Sequence, residues 1–239
     1  MHDGFPSTHI LKPFVVKRPT LIYDEEFTTR LAYRLGLAAA EARLAQFGGV
    51  DALVVERFDR SSNVPGGRIQ QEDMNQVLGA RGDQKYQEIG GVVSLRRIAE
   101  VFRAVGDHGS VEALARHVVF AVATGNLDQH AKNLAVLHFP DESLRLAPGY
   151  DLVPLHRYGT DGRMAMSVGG EYVHAALTRA HVEDEIRSWG VRNPESVVVE
   201  VLETLAGLDE NPADGADPRI KADIRRFTGN LLEGRAVAS

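Results

Sequence analysis

Leu114, Val118 and Val122 recur every four residues in the run from Ser110 to Ala123, which stops at Gly125 and passes directly into the polar octapeptide NLDQHAKN at 126–133. That spacing predicts a helix with one buried side, Ser110 as its N-cap and the glycine as its stop. Beyond the loop, Leu134–His138 and Leu144–Leu146 read as short strands around Pro140 and Asp141, and an acid, Asp151 in PGYDL, follows them. Helix, polar loop, strand, turn and acid in this order suit the binding of nucleotide phosphates through metal ions. An aspartate five residues ahead of an asparagine, Asp128 and Asn133, can set a carboxylate at a substrate hydroxyl and an amide oxygen at Mg²⁺. Mg²⁺ takes oxygen ligands, usually one or two carboxylates completed by phosphate oxygens and water, and Asp151 would supply the second carboxylate. Lys132 lies between them and can neutralise charge on a transferring phosphoryl group. Taken alone, the same residues also describe an ordinary turn, because Asp-x4-Asn is short enough to recur by chance.

Upstream, HILKPFVV (His9–Val16) follows a turn-like stretch at Pro6 and Ser7 and reads as a short strand carrying Lys12. Phe27, Leu31 and Leu35 predict a helix opened by Asp24 or a neighbouring acid and closed by Gly36. Ala42–Phe47 and Ala52–Val55 flank Gly48-Gly49 as a hairpin, and its second strand runs into Glu56-Arg57-Phe58-Asp59-Arg60. SSNVPGG (61–67) is a flexible connection, after which the pattern is mainly helical; the acids of QQED (Gln70–Asp73) fit the first turn of a helix. Late helices start at Asn193-Pro194 and Asp217-Pro218 and would bury Val198, Leu202, Ile224 and Leu231.

With 239 residues, 44% of them hydrophobic, the chain can form one two-lobed unit or two small domains. A net charge of −6 leaves no broad basic surface, so direct nucleic-acid binding is not expected. The absence of cysteine excludes disulfides, thiol catalysis and the usual zinc frameworks, and fits a reducing cytoplasm. The N-terminus MHDGFPSTHILK has no apolar signal core, and the longest apolar run, Val118–Thr124, falls far short of the roughly 20 residues of a membrane span. The expectation is a cytoplasmic protein without a membrane partner. P-loop, dinucleotide, HExxH and GxSxG signatures are missing, and the nine histidines show no metal-ligand spacing.

Seven blocks carry a resemblance: STHILKP (7–13), ALVVERFDR (52–60), RIQQEDMNQVLG (68–79), KYQEIGG (85–91), NLDQHAKN (126–133), LAPGYDLVPL (146–155) and MAMSVGGEY (164–172). In this order, over nearly all of Ser7–Tyr172, they resemble the HipA-like serine/threonine kinases, the kinase toxins of bacterial toxin–antitoxin modules. The resemblance implies an α+β, protein-kinase-like fold of two lobes. Residues 1–63 would form a trimmed N-lobe of a few antiparallel strands and one helix, and residues 64–239 a mainly helical C-lobe with the catalytic loop at the junction. It implies ATP and Mg²⁺ as cofactors. Lys12 would hold the nucleotide phosphates and pair with Glu25 or, alternatively, Glu26. The segment of Glu56, Phe58 and Asp59 would join the lobes and receive the adenine, although a lone aromatic such as Phe58 is equally a core residue. His130 would scaffold the loop beside the nucleotide through hydrogen bonds, Asp128 would be the catalytic aspartate with Lys132 assisting, Asn133 and Asp151 would be metal ligands, and QQED would have a supporting role.

Kinases of this type carry a glycine loop and a small subdomain ahead of the lysine strand, whereas here eleven residues precede Lys12, with Gly4 their only glycine. The expectation is a missing phosphate lid, weaker ATP binding and slow or absent turnover. A misassigned start, a degenerate remnant and a split system with a separately encoded N-terminal subdomain protein all remain open. Two functions follow from the resemblance. One is Mg-ATP-dependent phosphorylation of a protein serine or threonine, in relatives that of an aminoacyl-tRNA synthetase, with growth arrest and persistence as the outcome. The other is a catalytically impaired binding module for a helix-turn-helix antitoxin of HipB type or for the missing part.

Overall fold

The computed structural model describes residues 7–239, so Gly4 and the turn expected at Pro6 lie outside it. Strand β1 (His9–Pro13) is followed by helix α1 (Leu21–Arg34) and by the hairpin of β2 (Arg43–Phe47) and β3 (Val50–Glu56). β3 pairs antiparallel with both other strands, giving the order β1-β3-β2. Gly48 and Gly49 make the hairpin turn at φ 57° and 82°, a region that glycine enters without steric cost. The strand expected to reach Val16 stops at Pro13. Proline offers no N–H to a ladder, and beyond it Val15 meets only Arg18 in an isolated bridge.

α1 begins three residues before the acid expected to open it. Thr20 takes the N-cap position, while Asp24 is buried and accepts bonds from the Asp217 N–H (2.8 Å) and the Tyr158 hydroxyl. The acid therefore serves a tertiary contact instead of the helix end. At the other end Gly36, φ 71°, closes the helix as its sequence predicts: the Leu37 N–H donates to Ala32 O (2.8 Å) and the Gly36 N–H to Tyr33 O (2.9 Å). Ile22 packs with Ala42 and Leu53 under the small sheet, and Phe27, Leu31 and Leu35 enter the principal core. Arg30 and Arg34 both bond Glu210, so the helix is also fastened to the C-terminal part of the chain by charge.

A second sheet, order β4-β5-β6, consists of β4 (Gln70–Asp73), β5 (Ala135–His138) and β6 (Leu144–Leu146). QQED is thus a strand and not the first turn of a helix. Only Asp73 acts as a cap, accepting the Gln76 N–H at 2.9 Å while Gln76 Oε1 accepts the Asp73 N–H, and it opens the short helix α2 (Met74–Val77). Helices α3 (Leu95–Ala104) and α4 (His108–Thr124) follow. α4 starts two residues before Ser110 with Asp107 as N-cap; the Ser110 hydroxyl sits inside the first turn and accepts the Leu146 N–H at 2.8 Å, tying the helix start to β6. The chain ends with the hairpin β7 (Arg163–Val168) and β8 (Glu171–Val173) and with α5 (Arg179–Ser188), α6 (Pro194–Gly207) and α7 (Ile220–Leu232). Val198, Leu202, Ile224 and Leu231 are buried as their spacing predicts, in one cluster with the apolar face of α4. Among the described residues no helix is long and apolar enough to cross a membrane.

Candidate functional site

A cleft of about 390 Å³ opens between the first sheet and the segment 149–151. Side chains alternate faces along a strand, which puts Ile10 and Lys12 of β1 on the cleft side; Val55, opposite Ile10 in the ladder, joins them. Ala38–Ala40 and Gly149–Asp151 form the facing wall, and Glu56–Asp59 line the cleft where β3 leaves the sheet.

Lys12 is the polar centre of this cleft. Its Nζ donates to Glu25 Oε1 at 2.5 Å and to Asp151 Oδ1 at 2.6 Å, bridging α1 and the 149–151 segment. Glu26, the other candidate for this pairing, turns away and binds Arg30 at 2.8 Å. Burial opposes the Lys12 charge, but attraction by Glu25 and Asp151 outweighs it and raises the lysine pKa. For the Glu25 carboxyl, 4% exposed, burial outweighs the help of Lys12 and pushes its pKa up. Asp151 itself has φ 56°, a left-handed conformation that aspartate tolerates better than most residues.

The segment expected to join the lobes divides its work among its residues. Glu56 ends β3 with an exposed side chain. Phe58 does both things expected of it: it lines the cleft, and it packs against Tyr150 (ring centroids 5.6 Å apart) in a small cluster with Ile69, Ala135, Leu137 and Ala147. The Asp59 carboxylate is engaged by Arg57 and Arg60, each at 2.7 Å. Burial works against its charge, yet the two arginines hold its pKa below the usual carboxylate range, so Asp59 braces the segment.

The octapeptide loop is anchored by Leu127 and Ala131, both in the core, and folds upon itself. The His130 N–H donates to Asp128 O (2.7 Å), the Asn133 N–H to His130 O (2.8 Å) and Asn133 Nδ2 to Asp128 O (2.8 Å). The amide nitrogen of Asn133 is thereby used, and its oxygen is the atom left for a ligand. The side chain of Asp128 is 36% exposed and lies at a second cavity of about 340 Å³ with Tyr86, Leu155, Arg163 and Met164. His130 departs from expectation: its backbone bonds the loop, but its buried ring makes no hydrogen bond, with Nε2 3.8 Å from Asp128 and Nδ1 without a partner. Burial lowers its pKa, which keeps the imidazole neutral at pH 7, and the ring lines neither cavity. Lys132 is exposed and lines a third cavity with Arg57, Arg60 and Arg68 instead of the one that holds Asp128.

Among the described residues no group of three His, Cys, Asp or Glu could hold a metal by itself. A hard cation carried on nucleotide phosphates needs no such cage, and one carboxylate plus one amide oxygen, Asp151 and Asn133, suit it. Two aromatic residues were invisible as individuals within their sequence blocks: Tyr150, whose hydroxyl donates to Lys132 O at 2.8 Å, and Tyr86, whose hydroxyl donates to Asp128 Oδ1 at 3.2 Å. Aromatic and hydroxyl content was the only local signal for either.

Gly125 fixes where the loop leaves α4. It has φ 70°, and a Cβ on it would lie 2.3 Å from His156 Nδ1, a ring held by Asp223 at 3.0 Å. Gly125→Ala is expected to cost about 3 kcal/mol, the combined effect of the left-handed backbone and the clash, read as a lower urea midpoint at unchanged slope.

The model of the HipA-like C-terminal domain family matches residues 2–208. The chain is 35% identical over 223 residues to the putative kinase Y4mE of Sinorhizobium fredii, covering 89% of this chain and 53% of that protein. It is 31% identical over 264 aligned positions to the serine/threonine-protein kinase toxin HipA of Shewanella oneidensis, covering 97% and 60% respectively. The chain therefore spans little more than half the length of these relatives. Among solved structures, the Shewanella oneidensis HipA, HipB and operator DNA complex matches with a TM-score of 0.76 at 24% identity, over 95% of this chain and 57% of that one. The proinflammatory kinase CtkA of Helicobacter pylori matches with a TM-score of 0.57 at 11% identity, over 96% and 87%. At these identities the two structures speak to the mixed α/β fold.

Proposed function

Because the chain belongs to the HipA-like C-terminal domain family, we propose that it is a serine/threonine kinase that moves the γ-phosphoryl group of ATP to a protein hydroxyl. The observation that carries this reading is the Lys12 bridge between Glu25 and Asp151 inside the 390 Å³ cleft. In this reading residues up to 63 form the small lobe, residues 64–239 form the helical lobe, and ATP lies between them.

Adenine would rest on Phe58 and Val55 beside the backbone of Glu56. Lys12 would exchange Asp151 for a phosphate oxygen while keeping Glu25, which frees the Asp151 carboxylate. Bound Mg²⁺, held by Asp151 and Asn133, would supply charge neutralisation on the phosphates. Asp128 would orient the acceptor hydroxyl and take its proton as the new O–P bond forms and the bond to ADP breaks. Lys132 would add positive potential at the rim, together with Arg57, Arg60 and Arg68.

By the same kinship the substrate would be an aminoacyl-tRNA synthetase in the cytoplasm and the partner a helix-turn-helix antitoxin of HipB type. Incubation with Mg-[γ-³²P]ATP and a synthetase panel, followed by mass spectrometry, tests this reading. One labelled seryl or threonyl site is expected, and absence of label on every protein, the chain included, would overturn it. The second reading, a binding module, draws on the first sheet, where Leu11, Phe47 and Val50 are 53%, 51% and 50% exposed. Its distinguishing result is stable co-purification with the antitoxin together with no phosphoryl transfer.

A further inference from the structure

The block KYQEIGG has no part in the mechanism above, yet its Tyr86 meets the 126–133 loop at both Asp128 and His130. Tyr86 donates its hydroxyl to Asp128 Oδ1 at 3.2 Å. We propose that Tyr86 is a positioning residue for Asp128, fixing which carboxylate oxygen faces the acceptor hydroxyl; this rests on the kinase reading.

Backbone bonds make the contact a built one. The Ala165 N–H of β7 donates to Leu127 O at 2.9 Å, and Ala165 O accepts the Gln87 N–H at 3.0 Å. A single residue of β7 thus holds the neighbour of Asp128 on one side and the neighbour of Tyr86 on the other. Gln87 Oε1 also accepts the Ser167 N–H at 3.0 Å, and Glu88 binds Arg163 at 2.5 Å, so the segment is fastened to the strand at three successive points. The Tyr86 ring is set by its edge-to-face packing on His130 (centroids 5.6 Å apart, 74°) and by Lys85 Nζ 4.8 Å from its centroid. His130 Nε2 lies 3.8 Å from Asp128 Oδ2, beyond hydrogen-bonding distance, so the ring does not engage that oxygen. The tyrosine therefore occupies Oδ1, and Oδ2, which carries no hydrogen bond, is left to accept the proton.

Tyr86→Phe keeps the ring and removes only the donor. The expected result is a kcat lowered roughly tenfold, with the KM for ATP and the melting temperature unchanged, since a carboxylate free to rotate spends less time in the productive orientation. A purely structural tyrosine would not act through one side chain, so the cycle with Asp128→Asn decides the point. In that background Tyr86→Phe is expected to leave the residual rate unchanged. Equal kcat for Tyr86→Phe and wild type, or a tenfold loss that persists on top of Asp128→Asn, overturns the proposal while leaving the kinase reading intact. A wild-type chain that transfers no phosphate overturns both.

Discussion

Asp128→Ala is expected to lower phosphoryl transfer by about 10²- to 10⁴-fold while leaving ATP affinity within about twofold, the range for removing a positioned general base. The separation between the two effects comes from the architecture. Asp128 is not among the residues that line the cleft around Lys12; it lines the second cavity. Its own backbone carbonyl receives Asn133 Nδ2, and that bond does not involve the carboxylate, so truncation at Cβ leaves the loop's internal bonding in place. Single-turnover rates with Mg-ATP, set beside isothermal titration of the same samples, measure both quantities. A loss of binding as large as the loss of rate would place Asp128 in the nucleotide site instead.

Lys12→Met removes the group on which the cleft is centred, and two different losses are expected. ATP affinity and turnover fall together if, as proposed, the lysine is the cation that takes the phosphates. Folding stability also falls, because Glu25 is left buried without its partner. A fully buried broken pair costs about 3–5 kcal/mol, and with Lys12 one-third exposed we expect about 2 kcal/mol at pH 7. The sign of the pH dependence follows from the raised Glu25 pKa. A carboxyl whose folded pKa lies above its unfolded value contributes its full stability below that unfolded value, near 4.5, and loses it as pH rises through the folded pKa. The deficit of Lys12→Met relative to wild type should therefore be small near pH 4 and largest at neutral pH. Adding Glu25→Gln removes the stranded charge, so the double variant should regain stability and not turnover. Urea titrations at the two pH values check this, and a deficit independent of pH would mean that Glu25 is not what the lysine stabilises.

Local structure was legible where short-range periodicity decides it. The β2–β3 hairpin, the α4 stop at Gly125, β5, β6 and the buried stripes of α6 and α7 all follow from residues a few positions apart. Local pattern misleads where a polar residue has a distant partner. Asp24 looks like a helix opener but bonds Tyr158 and Asp217, and Ser110 looks like a cap but accepts from Leu146. QQED contains acids suited to a helix start, yet pairing with β5 takes all four residues into a strand. Ordered blocks in the sequence mark Lys12, Asp128, Asn133 and Asp151; the structure brings Lys12 and Asp151 together at one cleft and places Asp128 at another cavity. Such contacts are not marked: no spacing rule links Lys12 to Asp151 across 139 residues, or Tyr86 to Asp128 across 42. His130 shows the converse, a polar residue inside a functional loop whose ring is buried and unbonded.

In the proposed reading the cleft around Lys12 is a Mg-ATP site. Thermal denaturation with and without ATP and MgCl₂ tests it directly, because a ligand that binds only the folded state raises the melting temperature in proportion to RT ln(1 + [L]/Kd). Wild type is expected to gain several degrees at millimolar Mg-ATP and Lys12→Met to gain little. Equal melting temperatures for wild type with and without millimolar Mg-ATP would contradict that assignment.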